Sequence, residues 1–137
     1  MKILIMGMPE TGKSTLANQI CLELKAKLLN ADQIREKFDD WDFTERGRIR
    51  QAYRMRDLAI FCDTKDGYVV CDFICPTPET RRIFNADFTV WVDSKGTNKY
   101  DDTNRLFTQP ETYDFRVTTK DAQFWTPKIC RLIEKTK

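Results

Sequence analysis

At 137 residues the chain has the length of one domain, and that length argues against two independent hydrophobic cores. Hydrophobic residues at 41% and charged residues at 32% exclude a disordered or collagen-like chain, and a net charge of +2 gives no global pull toward nucleic acid or a membrane. Five cysteines without a CxxC pair, and no histidine at all, exclude zinc-finger spacing and Cys–His or Ser–His–Asp catalysis.

The cysteines read as reduced thiols in or near a core. No apolar run is long enough to cross a bilayer. The first six residues begin like a signal peptide, but Glu10 and Lys13 interrupt the run and no small-residue cleavage site follows. A cytoplasmic protein with no membrane partner is expected.

The pattern then alternates short apolar runs with amphipathic stretches. Residues 2–6 read as a buried strand, 7–12 as a tight loop and 13–25 as a helix with Leu16, Ile20 and Leu24 on one stripe. A short strand over 27–30 and a short helix over 32–38 follow. A longer helix runs from Thr44 to about Thr64, with Ile49, Tyr53 and Ile60 at its apolar positions and Gly67 beyond its end. Residues 68–74 form the clearest strand, stopped by Pro76 and Pro78. A short helix over 77–84, strands over 88–92 and 113–117, and a last helix over 121–135 complete the series; Pro127 argues for a later start of that helix. Residues 93–112 are polar and read as a loop. Alternating strands and helices predict an α/β fold, a three-layer α/β/α sandwich on a mainly parallel sheet of about five strands.

The most informative stretch is Gly7-Met8-Pro9-Glu10-Thr11-Gly12-Lys13-Ser14, followed by Thr15, which fits G-x-x-x-x-G-K-[ST] at every fixed position. It lies between a strand and an amphipathic helix, as a phosphate-binding loop must. Gly7 and Gly12 let backbone N–H groups approach phosphate oxygens. Lys13 can reach the β- and γ-phosphates, Ser14 can ligate Mg²⁺, and the helix N-terminus adds partial positive charge. This predicts a nucleotide-phosphate site of the P-loop nucleoside-triphosphate hydrolase and kinase fold. The chain is short for a GTPase and lacks the length of a motor domain, which favours a small-molecule kinase.

Further motifs, in the right order over most of the chain, resemble the adenylylsulfate kinase family. After the second strand that family has L-D-G-D-x-I-R, matched here by Leu29-Asn30-Ala31-Asp32-Gln33-Ile34-Arg35. Its arginine-rich E-N-I-R-R helix is matched by Arg48-Ile49-Arg50, with Glu45-Arg46, displaced by one residue, for the upstream Asp-Arg. Its V-V-x-x-S-F-I-S-P strand corresponds to Val69-Val70-Cys71-Asp72-Phe73-Ile74-Cys75-Pro76, and Asp93-Ser94-Lys95-Gly96 resembles its lid motif. The chain departs at Asn30, which replaces the first carboxylate of Asp-Gly-Asp, at Cys75, which replaces a serine, and in a much shortened lid over about 93–112.

The resemblance implies one P-loop kinase domain over 1–137 that transfers the γ-phosphate of ATP, with Mg²⁺, to adenosine 5′-phosphosulfate in sulfate assimilation. Catalytic roles fall to Lys13 and to Asp32, which would address the acceptor hydroxyl, although an N-cap is the common use of such an Asp. Ser14 and Asp72, a carboxylate in an otherwise apolar strand, are the metal-site candidates. Substrate contacts are expected from Arg35, Arg46, Arg50, Phe73, Ile74, Cys75 and Lys95. Arg46, Arg50 and Arg54 share one helical face, and their mutual repulsion would be relieved by an acceptor anion. Trp41, Phe43 and Phe73 could stack on an acceptor base. The competing readings are a related kinase acting on a nucleoside, a nucleic-acid end or a hydroxymethylated DNA base, and a nucleotide-binding module without transfer. Near-neutral charge disfavours nucleic acid, and a homodimer is left open.

Overall fold

The computed structural model describes residues 1–94 and 106–137. Among the described residues, ten elements follow one another: β1 (Lys2–Gly7), α1 (Lys13–Leu24), β2 (Lys27–Asn30), α2 (Ala31–Phe38), α3 (Glu45–Cys62), β3 (Val69–Asp72), α4 (Pro78–Phe84), β4 (Phe88–Val92), β5 (Phe115–Val117) and α5 (Ala122–Thr136). The five strands form one parallel sheet in the order β2-β3-β1-β4-β5. Parallel strands need crossovers, and α1, α2 with α3, and α4 supply those that link β1, β2, β3 and β4. The expected three-layer sandwich is what the chain forms.

Period-two alternation sorts the strands between the layers. Ile3, Ile5, Val70, Val90 and Val92 pack with Leu16 and Ile20 of α1 and Ile129 and Ile133 of α5. Leu4, Met6, Val69, Cys71 and Trp91 face the other way, onto Ile34 of α2, Met55 of α3 and Phe84 of α4. Among the described residues no helix is long and apolar enough to cross a membrane.

Three local expectations change. The inward face of α3 is Gly47, Arg48, Gln51, Ala52, Met55 and Ala59, whereas Tyr53 and Ile60 are exposed. Small residues let the helix lie close to the sheet, and two polar side chains continue that stripe to the cleft. The last helix begins at Ala122 and passes through Pro127. Asp121 caps it by accepting the Phe124 N–H, and buried Ile129, Cys130 and Ile133 hold the segment beyond the proline against the sheet. β3 ends at Asp72, where the chain leaves the sheet for a turn that holds Cys75 at φ 48°.

Candidate active site

The C-terminal ends of β1, β2 and β3 open into one cleft of about 1030 Å³. Such crevices at the carboxyl ends of parallel strands are where α/β sheets bind ligands. Here they bring together the phosphate loop, the start of α2 and the exit of β3.

The loop after β1 has the backbone that its glycines predict. Gly7 has φ 154°, and a Cβ there would collide with the Val92 carbonyl; Gly12 has φ 94° at the start of α1. Thr11 Oγ1 and Lys13 Nζ each donate to the Met8 carbonyl at 2.8 Å, which ties the loop around the lysine. Burial lowers the pKa of Lys13, and the charges of Asp72 and Asp32 oppose that shift. Pro9, Glu10, Gly12, Lys13, Ser14 and Thr15 line the cleft.

Asp72 is 3% exposed, and its Oδ2 accepts from Ser14 Oγ at 2.8 Å and Asn30 Nδ2 at 2.9 Å. Burial raises its pKa; the Ser14 hydrogen bond, the Lys13 charge and the Asn30 hydrogen bond pull the other way. A buried carboxylate beside a hydroxyl, with no salt bridge to a described residue, suits a hard divalent cation. No cluster of three or more metal-ligating side chains exists among the described residues. A cation here would therefore take most of its oxygens from phosphate and water, the usual arrangement for Mg²⁺.

Asp32 lies in the first turn of α2 and lines the cleft. It is not the cap: Asn30 Oδ1 accepts the Gln33 N–H at 3.1 Å. The capping role weighed for Asp32 in the sequence thus belongs to its neighbour.

On the far wall, Arg35 and Arg48 are 4% and 6% exposed and both line the cleft. Arg35 Nη1 donates to the carbonyls of Asp40 and Asp42 at 3.0 and 3.2 Å, and its guanidinium lies 4.5 Å over the Phe43 ring. Arg48 Nε donates to the Phe43 carbonyl at 2.8 Å. Gln51 Nε2 donates to the Ala31 carbonyl at 3.2 Å, one turn further along α3. Trp41 and Phe43, both about half exposed, stand at the mouth with ring centroids 6.4 Å apart.

Two expected substrate residues face elsewhere. Arg50 pairs with Asp40 at 2.8 Å and Asp42 at 3.2 Å, outside the cleft, and Arg54 also reaches Asp40 at 3.0 Å. The repulsion along that face is answered by Asp40, whose carboxyl the Arg50 hydrogen bonds hold far below the usual carboxylate range. Arg46 is exposed and does not line the cleft. The α3 residues that do are Arg48 and Gln51, three apart.

Phe73, Ile74 and Cys75 line the cleft with Pro76. Phe73 also packs edge-on against Phe84 at 5.3 Å, so it serves the core as well. Burial pushes the Cys75 thiol up to about 12, which leaves it inert near neutral pH. Arg81 holds this turn by donating to the Cys75 and Pro76 carbonyls at 3.0 and 3.1 Å. Lys95 lies outside the described residues.

A second depression, of about 150 Å³ and not expected from the sequence, lies on the other side of the loop, where Gly12 and Thr15 meet Val117, Lys120 and Trp125. Its signal is the polar turn Thr118-Thr119-Lys120-Asp121, which leaves the C-terminal end of the last parallel strand.

A five-stranded parallel sheet of this order, with a phosphate loop after β1 and polar side chains closing the cleft opposite, defines a P-loop kinase. The chain belongs to the adenylylsulphate kinase family, whose sequence model matches residues 1–100, and it is a phosphotransferase. No curated protein sequence matches it. Solved structures show the same fold. The Mycobacterium tuberculosis APS kinase CysC in complex with AMPPNP and APS is 20% identical with a TM-score of 0.80, over 97% of this chain and 96% of that one. Shikimate kinase from Aquifex aeolicus is 17% identical at a TM-score of 0.70, over 98% and 97%. A gluconokinase from Sinorhizobium meliloti is 13% identical at 0.68, over 98% and 94%.

Proposed function

We propose that the protein transfers the γ-phosphate of ATP to a hydroxyl of an anionic nucleotide, adenosine 5′-phosphosulfate being the leading acceptor. The observation that carries this reading is the pair of buried guanidiniums, Arg35 and Arg48, facing the cleft beside Asp32 and across from the phosphate loop. Buried arginines that line an open cleft favour an anionic group in it, and guanidinium geometry suits phosphate and sulfate.

The chemistry assigns the parts. Loop N–H groups and Lys13 bind the triphosphate, and Lys13 opposes charge growing on the transferring phosphoryl group. Ser14 directly, and Asp72 through water, would hold Mg²⁺, which when bound neutralises charge shared by the β- and γ-phosphates. The donor base lies in the depression beside Lys120 and Trp125. Asp32 accepts the proton of the acceptor hydroxyl as its oxygen bonds to the γ-phosphorus and the bond to the β–γ bridging oxygen breaks, releasing ADP. Arg35, Arg48 and Gln51 hold the acceptor's anionic end, and Trp41 with Phe43 covers its base. The same reading keeps the protein in the cytoplasm.

An assay of ADP formation with adenosine 5′-phosphosulfate, nucleosides and hydroxyl-bearing oligonucleotides tests it, with Lys13→Ala as the control for loop chemistry. Turnover is expected with the phosphosulfate and not with uncharged nucleosides. Turnover with oligonucleotides alone would replace the acceptor, and nucleotide binding without transfer to any hydroxyl would replace it with a binding role.

A further inference from the structure

Asn30 uses both ends of one side chain. Its Oδ1 accepts the Gln33 N–H and so caps α2, while its Nδ2 donates to Asp72 Oδ2 at 2.9 Å. The register explains why both are within reach: Asn30 and Asp72 are paired across β2 and β3 at the end of the sheet that opens into the cleft. A cap alone would be met equally by Asp or Ser. The second bond needs a donor held in the same plane as the capping oxygen, and an amide supplies that.

The chemistry at Asp72 depends on it. Both donors, Ser14 Oγ and Asn30 Nδ2, meet the same oxygen. Oδ1 accepts no hydrogen bond among the described residues, and it is the oxygen available to a cation's water shell. A carboxylate at position 30, as in the Asp-Gly-Asp pattern the chain resembles, would put two carboxylates at hydrogen-bond distance, which either repel or must take up a proton in place of the amide's. Ala31 and Asp32 follow directly, so the atom that caps the helix also sets where the Asp32 carboxylate begins.

We propose that Asn30 is a positioning residue, one amide that fixes α2 and its Asp32 relative to the Asp72–Ser14 pair. This rests on the roles proposed above for Asp32 and Asp72. Asn30 lines the cleft, but its side chain is engaged by the Gln33 N–H and Asp72, so it acts through the two carboxylates.

Two substitutions separate positioning from capping. Asn30→Ser keeps an oxygen for the Gln33 N–H but is too short to reach Asp72. Asn30→Asp keeps the cap and the shape but turns donation into repulsion. With the cap retained, Asn30→Ser is expected to melt within a few degrees of the unaltered protein. Its kcat should fall on the order of tenfold, the loss of one hydrogen bond to a charged group, with ATP KM nearly unchanged. Asn30→Asp is expected to melt lower than the unaltered protein in EDTA and to regain that loss when Mg²⁺ is added, a readout that needs no turnover.

Wild-type kcat in Asn30→Ser, or identical melting of Asn30→Asp and the unaltered protein in EDTA and in Mg²⁺, would reduce Asn30 to a helix cap and leave the kinase reading standing. If Asn30→Ser does not fold, the Asn30→Asp melting pair decides alone. Asp72→Asn run alongside distinguishes the other failure. If it changes neither Mg²⁺ dependence nor turnover, the role given to Asp72 is wrong, and this proposal goes with it.

Discussion

Asp72 and Asp32 line the same cleft with opposite relations to solvent. Asp72 is buried beside Ser14 and Asn30, and burial disfavours its charged form; Asp32 is exposed in the first turn of α2. Substituting each by Asn should therefore give contrasting results. Asp72→Asn keeps an oxygen for the Ser14 and Asn30 donors but removes a buried charge, so the ligand-free protein should gain about 1–3 kcal/mol of stability. Activity should then need more Mg²⁺. Asp32→Asn removes the proton acceptor at an exposed position, so melting should barely move while turnover falls roughly 10²–10⁴-fold. Denaturant melts and Mg²⁺ titrations at saturating ATP check both. If excess Mg²⁺ rescues Asp32→Asn and not Asp72→Asn, the two roles are exchanged.

Helix α3 carries the acceptor wall on one face and an ion-paired surface on the other. Arg48 and Gln51 point inward with Ala52 and Met55, while Arg50 and Arg54 close on Asp40. Arg48→Ala should raise the acceptor KM by roughly 10- to 150-fold, the loss of a charge-assisted hydrogen bond, and leave ATP KM nearly intact. Arg50→Ala should change neither constant appreciably, because its partners are carboxylates outside the cleft. Steady-state kinetics with each substrate varied in turn decides; equal losses in both variants would return Arg50 to the acceptor site. The sequence could not separate these arginines. Spacing of i, i+4 identifies a shared face but not which way it turns, and Asp40 lies in a connecting loop ten residues before Arg50. Ile49, Tyr53 and Ile60 were the larger apolar side chains, yet close packing on the sheet selected Ala52, Met55 and Ala59. Asn30 was legible as a lost carboxylate but not as a donor to Asp72, since only strand pairing brings positions 30 and 72 together. The phosphate loop, by contrast, is local: its glycines, lysine and serine act within eight consecutive residues, so it could be read directly.

For the molecule as a whole, alternation along β1 ties both layers to one strand. Leu4 and Ile5 are adjacent and buried, Leu4 against the α3 and α4 side and Ile5 against the α1 and α5 side. The layer order was legible for the same reason, because short apolar runs between amphipathic helices leave a parallel sheet few other ways to be covered. If the chain is one folding unit, truncating either side chain must weaken both faces equally. Leu4→Ala and Ile5→Ala should each cost about 2–5 kcal/mol. Trp91 is packed in the first layer and Trp125 against the second, so each reports on its own face. In proteins that keep a single tryptophan, at 91 or at 125, urea unfolding should give coincident midpoints, both displaced by either truncation. A truncation that moves the midpoint at only one tryptophan would mean that the two faces of the sheet unfold separately. In that case, a nucleotide that stabilises the P-loop side would leave the other midpoint unchanged.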